Sequence, residues 1–162
     1  KKNWRIEMGT VETRLLELGI ELPEMKLPVA NYVPVVCTGN LLFLSGSIPA
    51  SRQDGTEVRG KLGDDLSVEE GYEAARLVGI NLIAVLKATL NDLDRVVQIV
   101  KLLTMVNTTQ DFVDTPAVAN GCSDLLVEVF GDRGKHARSA VGMASLPLNV
   151  PVETEMVVEI SS

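Results

Sequence analysis

At 162 residues the chain has the length of one domain, enough for a single core to bury most of its apolar surface, and one domain over 1–162 is expected, with 1–19 an N-terminal extension or short helix. Its 15 basic and 22 acidic residues give a formal net charge of −7, so the average surface repels phosphate backbones and offers no electrostatic footprint for nucleic acid. No apolar run approaches the ~20 residues of a membrane span, and Cys37, Cys122 and the sole histidine, His136, lack metal-ligand spacing; a soluble cytoplasmic protein with two reduced, mostly buried thiols, no metal and no cofactor is expected.

Lys1 to Glu7 precede a plausible start at Met8-Gly9. Val11, Leu15 and Leu18 recur at helical spacing between a candidate cap at Thr10 and a stop at Gly19, which predicts a short helix over about Val11 to Leu18. Pro23, Pro28 and Pro34 punctuate an extended segment through Tyr32. Val35 to Cys37 and Leu41 to Leu44 then flank Thr38-Gly39-Asn40 as a hairpin, whose first strand belongs at an edge because Pro34 cannot donate to a ladder. Ser51 to Asp65 reads as a loop containing Asp54-Gly55, with a weak strand near Glu57 to Leu62.

Ser67 and Glu70 form a capping box ahead of the longest helix, Val68 to Leu90. Its apolar stripe includes Ala75, Val78, Leu82 and Val85, and Glu73 can pair with Arg76 on its wet side. Arg95 to Asn107 is apolar on both alternating faces: Val97, Ile99, Leu103 and Met105 against Val96, Val100, Leu102 and Val106. Such a strand must be covered on both sides. Asp114 as cap, Pro116 at the helix start, the stripe Val118, Cys122, Leu125, Val129 and a stop at Gly131 predict a third helix.

The C-terminal part reads as strand Ala137 to Met143, turn Ser145 to Val150 and strand Val152 to Ile160. In the first strand His136, Arg138 and Ala140 share a face; in the second Glu153 and Glu155 oppose Val152, Thr154, Met156 and Val158. If the Arg and Glu faces coincide, a cation and a carboxylate stand beside a backbone edge. That suits a small carboxylate gripped in two parallel hydrogen bonds, with the acid deprotonating a water for addition to a polarised C=N. The bland alternative is a surface Arg–Glu pair across neighbouring strands, worth little. Two long helices can cover only one sheet face, so the other asks for a second copy of the chain; the copy number is not readable this way.

Two ordered motifs then stand out. Arg138-Ser139-Ala140-Val141, Leu146-Pro147 and Val152-Glu153-Thr154-Glu155 resemble the C-terminal signature of the RidA family, also called YjgF. Upstream, Gly39-Asn40-Leu41 leading to Leu44-Ser45-Gly46-Ser47-Ile48-Pro49 is similar to the family's second motif, and the resemblance spans roughly Ile20 to Ile160. It implies an α+β, chorismate-mutase-like fold, a mixed sheet with two long helices on one face, assembled as a homotrimer with sites in the clefts between subunits. The implied activity is hydrolysis of reactive 2-imino and enamino acids to 2-keto acids with release of ammonia.

Carried over by position, Arg138 matches the carboxylate-binding Arg and Glu153 the water-positioning Glu. Tyr32 matches a site Tyr, otherwise a buried aromatic, and Gly46 a Gly whose backbone approaches the ligand. Ala140 replaces a Cys found in many members and leaves only a backbone contribution there. The polar residue supplied by the third helix is either Asn120 or Ser123. The stretch Gly134-Lys135-His136 is shorter than usual, which points to a divergent subgroup, and His136 reads as structural or capping. A noncatalytic trimer that binds small carboxylate-bearing metabolites through Arg138 is the alternative. An endoribonuclease is a weaker one, given the acidic surface and lone histidine.

Overall fold

The computed structural model describes residues 9–25, 31–49, 51 and 55–162; Lys1 to Met8, Pro28 and Asp54 of the sequence reading lie outside them. In chain order the elements are α1 (Thr10–Glu17), β1 (Val35–Thr38), β2 (Leu41–Ser47), α2 (Val68–Leu90), β3 (Val96–Asn107), α3 (Thr115–Phe130), β4 (Ala137–Met143) and β5 (Val152–Ile160), with 3-10 turns at Leu93–Arg95, Gly131–Gly134 and Pro147–Asn149. The Ser67–Glu70 capping box forms in both directions. Thr10 is the first helical residue of α1 instead of its cap. The free N–H groups of Thr10 and Val11 are taken from across the fold by the Asp94 carboxylate, at 2.6 and 3.2 Å, which leaves a local cap nothing to do. No strand forms at 57–62. The Gly60 and Leu62 N–H groups bond to Asn149 and Asn107 carbonyls, and Leu62 makes only isolated bridges.

One five-stranded sheet has the order β1-β2-β5-β3-β4, antiparallel throughout except for the parallel pair β3–β4. β1 is an edge, as Pro34 requires. Helices α2 and α3 lie side by side on one face, where Leu42, Leu44, Ile99, Leu102, Val106, Val152, Met156 and Val158 meet Val78, Leu82, Leu86, Val118, Cys122 and Leu125 in one core. The helices approach closely at Gly121, where a Cβ would stand 1.9 Å from the Tyr72 carbonyl oxygen. Beside this contact Arg76 reaches Glu128 of α3 at 2.8 Å, so the expected pairing with Glu73 is replaced by one between helices. Val85 is only half-buried, at the end of the expected stripe.

β3 departs from simple alternation. Its pairing with β5 shifts between Val96 and Gln98 and again between Ile99 and Lys101. Each shift inserts a residue, and an inserted residue reverses which face the next one takes. Ile99 therefore joins Val96, Leu102 and Val106 in the core, while Val97 and Val100 are exposed. The face away from the helices carries Val36, Phe43, Leu103, Met105, Val141, Met143 and Val157, with Val36 52% and Phe43 46% exposed. Cys122 is buried among the helices, which pushes its thiol up to about 12. Cys37 is exposed on β1 instead of buried, because an edge strand has cover on one side only. Among the described residues no helix is long and apolar enough to cross a membrane.

Candidate functional site

The residues singled out in the sequence gather in two clusters. The first surrounds Arg138 on β4. Arg138 is in register with Leu102 and Met156, which places it on the helix-covered face at the sheet's edge. Its Nη1 donates to Asn120 Oδ1 at 2.9 Å and to Ser123 Oγ at 3.0 Å, and its Nη2 makes a long 3.5 Å contact with the Pro116 carbonyl. Asn120 and Ser123 are three apart on α3 and so present side chains to the same place; both of the alternatives contact Arg138. No carboxylate among the described residues pairs with this guanidinium, which removes the bland reading of an Arg–Glu surface pair. Ala140 follows on the same face, its carbonyl accepting from Thr115 Oγ at 3.2 Å.

His136 completes this cluster. Its Nδ1 lies 2.6 Å from the Gly134 carbonyl oxygen and its Nε2 2.9 Å from Ser123 Oγ. A carbonyl can only accept, so the network assigns the proton to Nδ1 and makes Nε2 the acceptor of the Ser123 hydroxyl. The Ser123 oxygen then keeps its lone pairs for Arg138. Burial lowers the His136 pKa, and the Arg138 and Lys101 cations lower it further against the opposing Gly134 bond; the ring is neutral at pH 7.

The second cluster surrounds Glu153 on β5. Glu153 is in register with Met105 and so points to the open face, away from Arg138. The expectation that the Arg and Glu faces might coincide fails within one chain, because Arg138 pairs with even-numbered Leu102 and Glu153 with odd-numbered Met105 along the same stretch of β3. The Glu153 carboxylate is half-buried and has no hydrogen-bond or ion-pair partner among the described residues. Burial raises its pKa, and neighbouring Glu155 raises it further. The β2–β5 register slips between Leu44 and Ser47, and this bulge brings the Gly46 backbone onto the acid: a Cβ there would stand 2.0 Å from Glu153 Oε1. The carboxylate occupies the space that a side chain at 46 would take, so a larger residue there must displace it.

Tyr32 is 55% exposed rather than a core aromatic. It borders a groove with Pro34, Ser45, Gly46, Ile48, Asn81 and Val85, and Asn81 Nδ2 ties α2 to that strand end through the Ile48 carbonyl at 2.8 Å. Asn81 carried no signal in the sequence, being one polar residue in a helix. Among the described residues one trio of carboxylates, Glu12, Asp92 and Asp94, lies close together. It serves the docking of α1: Asp94 caps the helix, and Glu12 accepts from Lys87 Nζ at 2.8 Å and from the Leu93 N–H at 3.0 Å.

A family profile described as "YjgF/chorismate mutase-like, putative endoribonuclease" matches residues 12–160. Protein TCP17 of Trypanosoma cruzi is 42% identical over 158 residues, 97% of this chain and 98% of that protein. A crystal structure from Shewanella oneidensis, described as a "putative endoribonuclease", is 37% identical with a TM-score of 0.88, over 94% of this chain and all of that one (100%). A 2-iminobutanoate/2-iminopropanoate deaminase of Dermatophagoides farinae is 30% identical over 141 residues, 87% of this chain and 94% of that protein.

Proposed function

The chain belongs to the YjgF/chorismate-mutase-like family, and from that premise we propose that it hydrolyses reactive 2-imino acids to 2-keto acids and ammonia. The observation that carries the reading is the state of Arg138. Both Nη1 hydrogens are spent on neutral acceptors, no acid among the described residues balances the charge, and the Nε–Nη2 edge, with only a long 3.5 Å contact to the Pro116 carbonyl, can take a ligand carboxylate in a fork. Glu153 is the complementary group: a partnerless carboxylate with a raised pKa holds a water and accepts its proton as the water adds to the C=N carbon. That proton passes to nitrogen to give a carbinolamine, whose hydroxyl proton follows it to the nitrogen as the C–N bond breaks, so that ammonia leaves as the carbonyl forms. The named activity of the mite relative supports this reaction class.

Arg138 and Glu153 face opposite sides of one sheet, so a single ligand meets both only if a second copy supplies one of them. The uncovered apolar face around Val36, Phe43, Val141 and Met143 supports self-association, and a homotrimer with Arg138 of one subunit across a cleft from Tyr32, Gly46 and Glu153 of the next is the arrangement we propose. An endoribonuclease is less well supported: the net charge of −7 repels RNA, and both ring nitrogens of the sole histidine are engaged. The test is ammonia release from an imino acid generated in situ by an amino-acid oxidase, run on the parent protein and on Arg138→Ala. Ammonia release by the parent alone is expected. Ligand binding without turnover in the parent would make the chain a noncatalytic carboxylate binder, and light scattering that found only monomer would remove the shared cleft.

A further inference from the structure

Resting on the reading of Arg138 as a carboxylate anchor, we propose that His136 is a positioning residue that sets the orientation of the Arg138 guanidinium through the Ser123 hydroxyl. The chain of contacts runs from the Gly134 carbonyl to His136 Nδ1, from His136 Nε2 to Ser123 Oγ, and from Ser123 Oγ to Arg138 Nη1, at 2.6, 2.9 and 3.0 Å. Each link dictates the next. Gly134 is buried, with so little room that a Cβ would fall 2.2 Å from the Leu126 carbonyl oxygen of α3, so its own carbonyl is a fixed reference point. That carbonyl selects the Nδ1–H tautomer, and the bond at one ring nitrogen thereby decides the role of the other.

With Nε2 an obligate acceptor, the Ser123 proton is committed to it. A serine without that acceptor could turn its O–H toward Arg138 and set donor against donor. With it, Ser123 offers only lone pairs, and together with Asn120 Oδ1 it consumes both Nη1 hydrogens. The guanidinium is then held chiefly through Nη1, with a long 3.5 Å contact from Nη2 to the Pro116 carbonyl, and the Nε–Nη2 edge is presented in one plane. Such pre-positioning removes an ordering cost from ligand binding. Asn120 shares the hold, so loss of the histidine weakens it without abolishing it.

The test combines a spectroscopic and a binding readout. Because the chain has a single histidine, 15N NMR reads its tautomer without ambiguity; Nδ1–H is expected. The binding probe is 2-oxobutanoate, a stable 2-keto acid. His136→Ala and Ser123→Ala should each weaken its binding about tenfold, the worth of one hydrogen bond to a charged group, and the double variant should be no weaker than either single one, as for members of one chain of contacts. His136→Gln, whose amide can donate to the Gly134 carbonyl while its oxygen accepts from Ser123, should recover most of the loss. An Nε2–H tautomer, additive losses, or a Gln variant no better than Ala would each overturn the positioning role. If His136→Ala does not fold, the tautomer, Ser123→Ala and His136→Gln still decide. Failure of the parent protein itself to bind 2-oxobutanoate would instead overturn the anchor, and the positioning role with it.

Discussion

Gly46→Ala isolates the placement of Glu153 from its chemistry. The added Cβ would stand 2.0 Å from Oε1, 3.0 Å from Cδ and 3.2 Å from Cγ of Glu153. Ordinary contact begins near 3.4 Å, so the oxygen must retreat by about 1.4 Å (3.4 less 2.0), a displacement set by van der Waals contact. All three obstructing atoms belong to one side chain with a free end, and Gly46 is not among the positive-φ positions, so the backbone accepts alanine. Turning the carboxylate off its rotamer costs about 0.5–1.5 kcal/mol, which the stiffer unfolded chain offsets by about 0.4–1 kcal/mol. The melting temperature should therefore stay within about 3 °C of the parent's. Turnover should not survive so well: moving a catalytic group by an ångström costs on the order of 10²-fold. The coupled ammonia-release assay reads the rate, and thermal melting reads the fold. A well-folded Gly46→Ala protein with parental turnover would refute the role of Glu153.

The other expectations use the same two assays. Arg138→Lys should behave like Arg138→Ala, since an ammonium cannot offer the planar fork while it bonds to Asn120 and Ser123; equal function with Lys would refute the bidentate anchor. Glu153→Gln should cut turnover by about 10²–10⁴ while stabilising the fold at neutral pH by about 0.5 kcal/mol. The sign follows from the raised folded pKa of Glu153: ionising the group costs more in the folded than in the unfolded chain, so the penalty is present above the carboxylate range and disappears as pH falls below it. A stability gain unchanged by acid would contradict this origin. Gly121→Ala drives a Cβ to 1.9 Å from the Tyr72 carbonyl oxygen and 3.0 Å from the Arg76 nitrogen, both backbone. It should cost about 1–3 kcal/mol, seen as a lower melting temperature; a variant as stable as the parent would mean that α2 and α3 do not meet there.

Much of this was legible before any coordinates. The helix α2 begins where the capping box places it and spans the expected Val68 to Leu90, and β4 and β5 have the expected bounds, because caps, breakers and strong alternation act within a few residues of chain. Asn120 and Ser123 stood as alternatives, offered by the resemblance and not by any local signal that could choose between them. Their service to a single guanidinium, and the part His136 plays behind Ser123, needed α3 to be laid against β4.

What the chain determined by itself was therefore local: where elements start and stop, and which of their faces are apolar. What the tertiary structure alone decided was which faces coincide. Two bulges in β3 reverse the parity of a strand that reads as regular, the bulge in β2 sets the Gly46 backbone against Glu153, and the register of β3 with its two neighbours sends Arg138 and Glu153 to opposite sides. A bulge is a property of a pair of strands, and the partners here are separated by tens of residues in the chain. No window of sequence contains both, so parity across the sheet is fixed only when the strands meet.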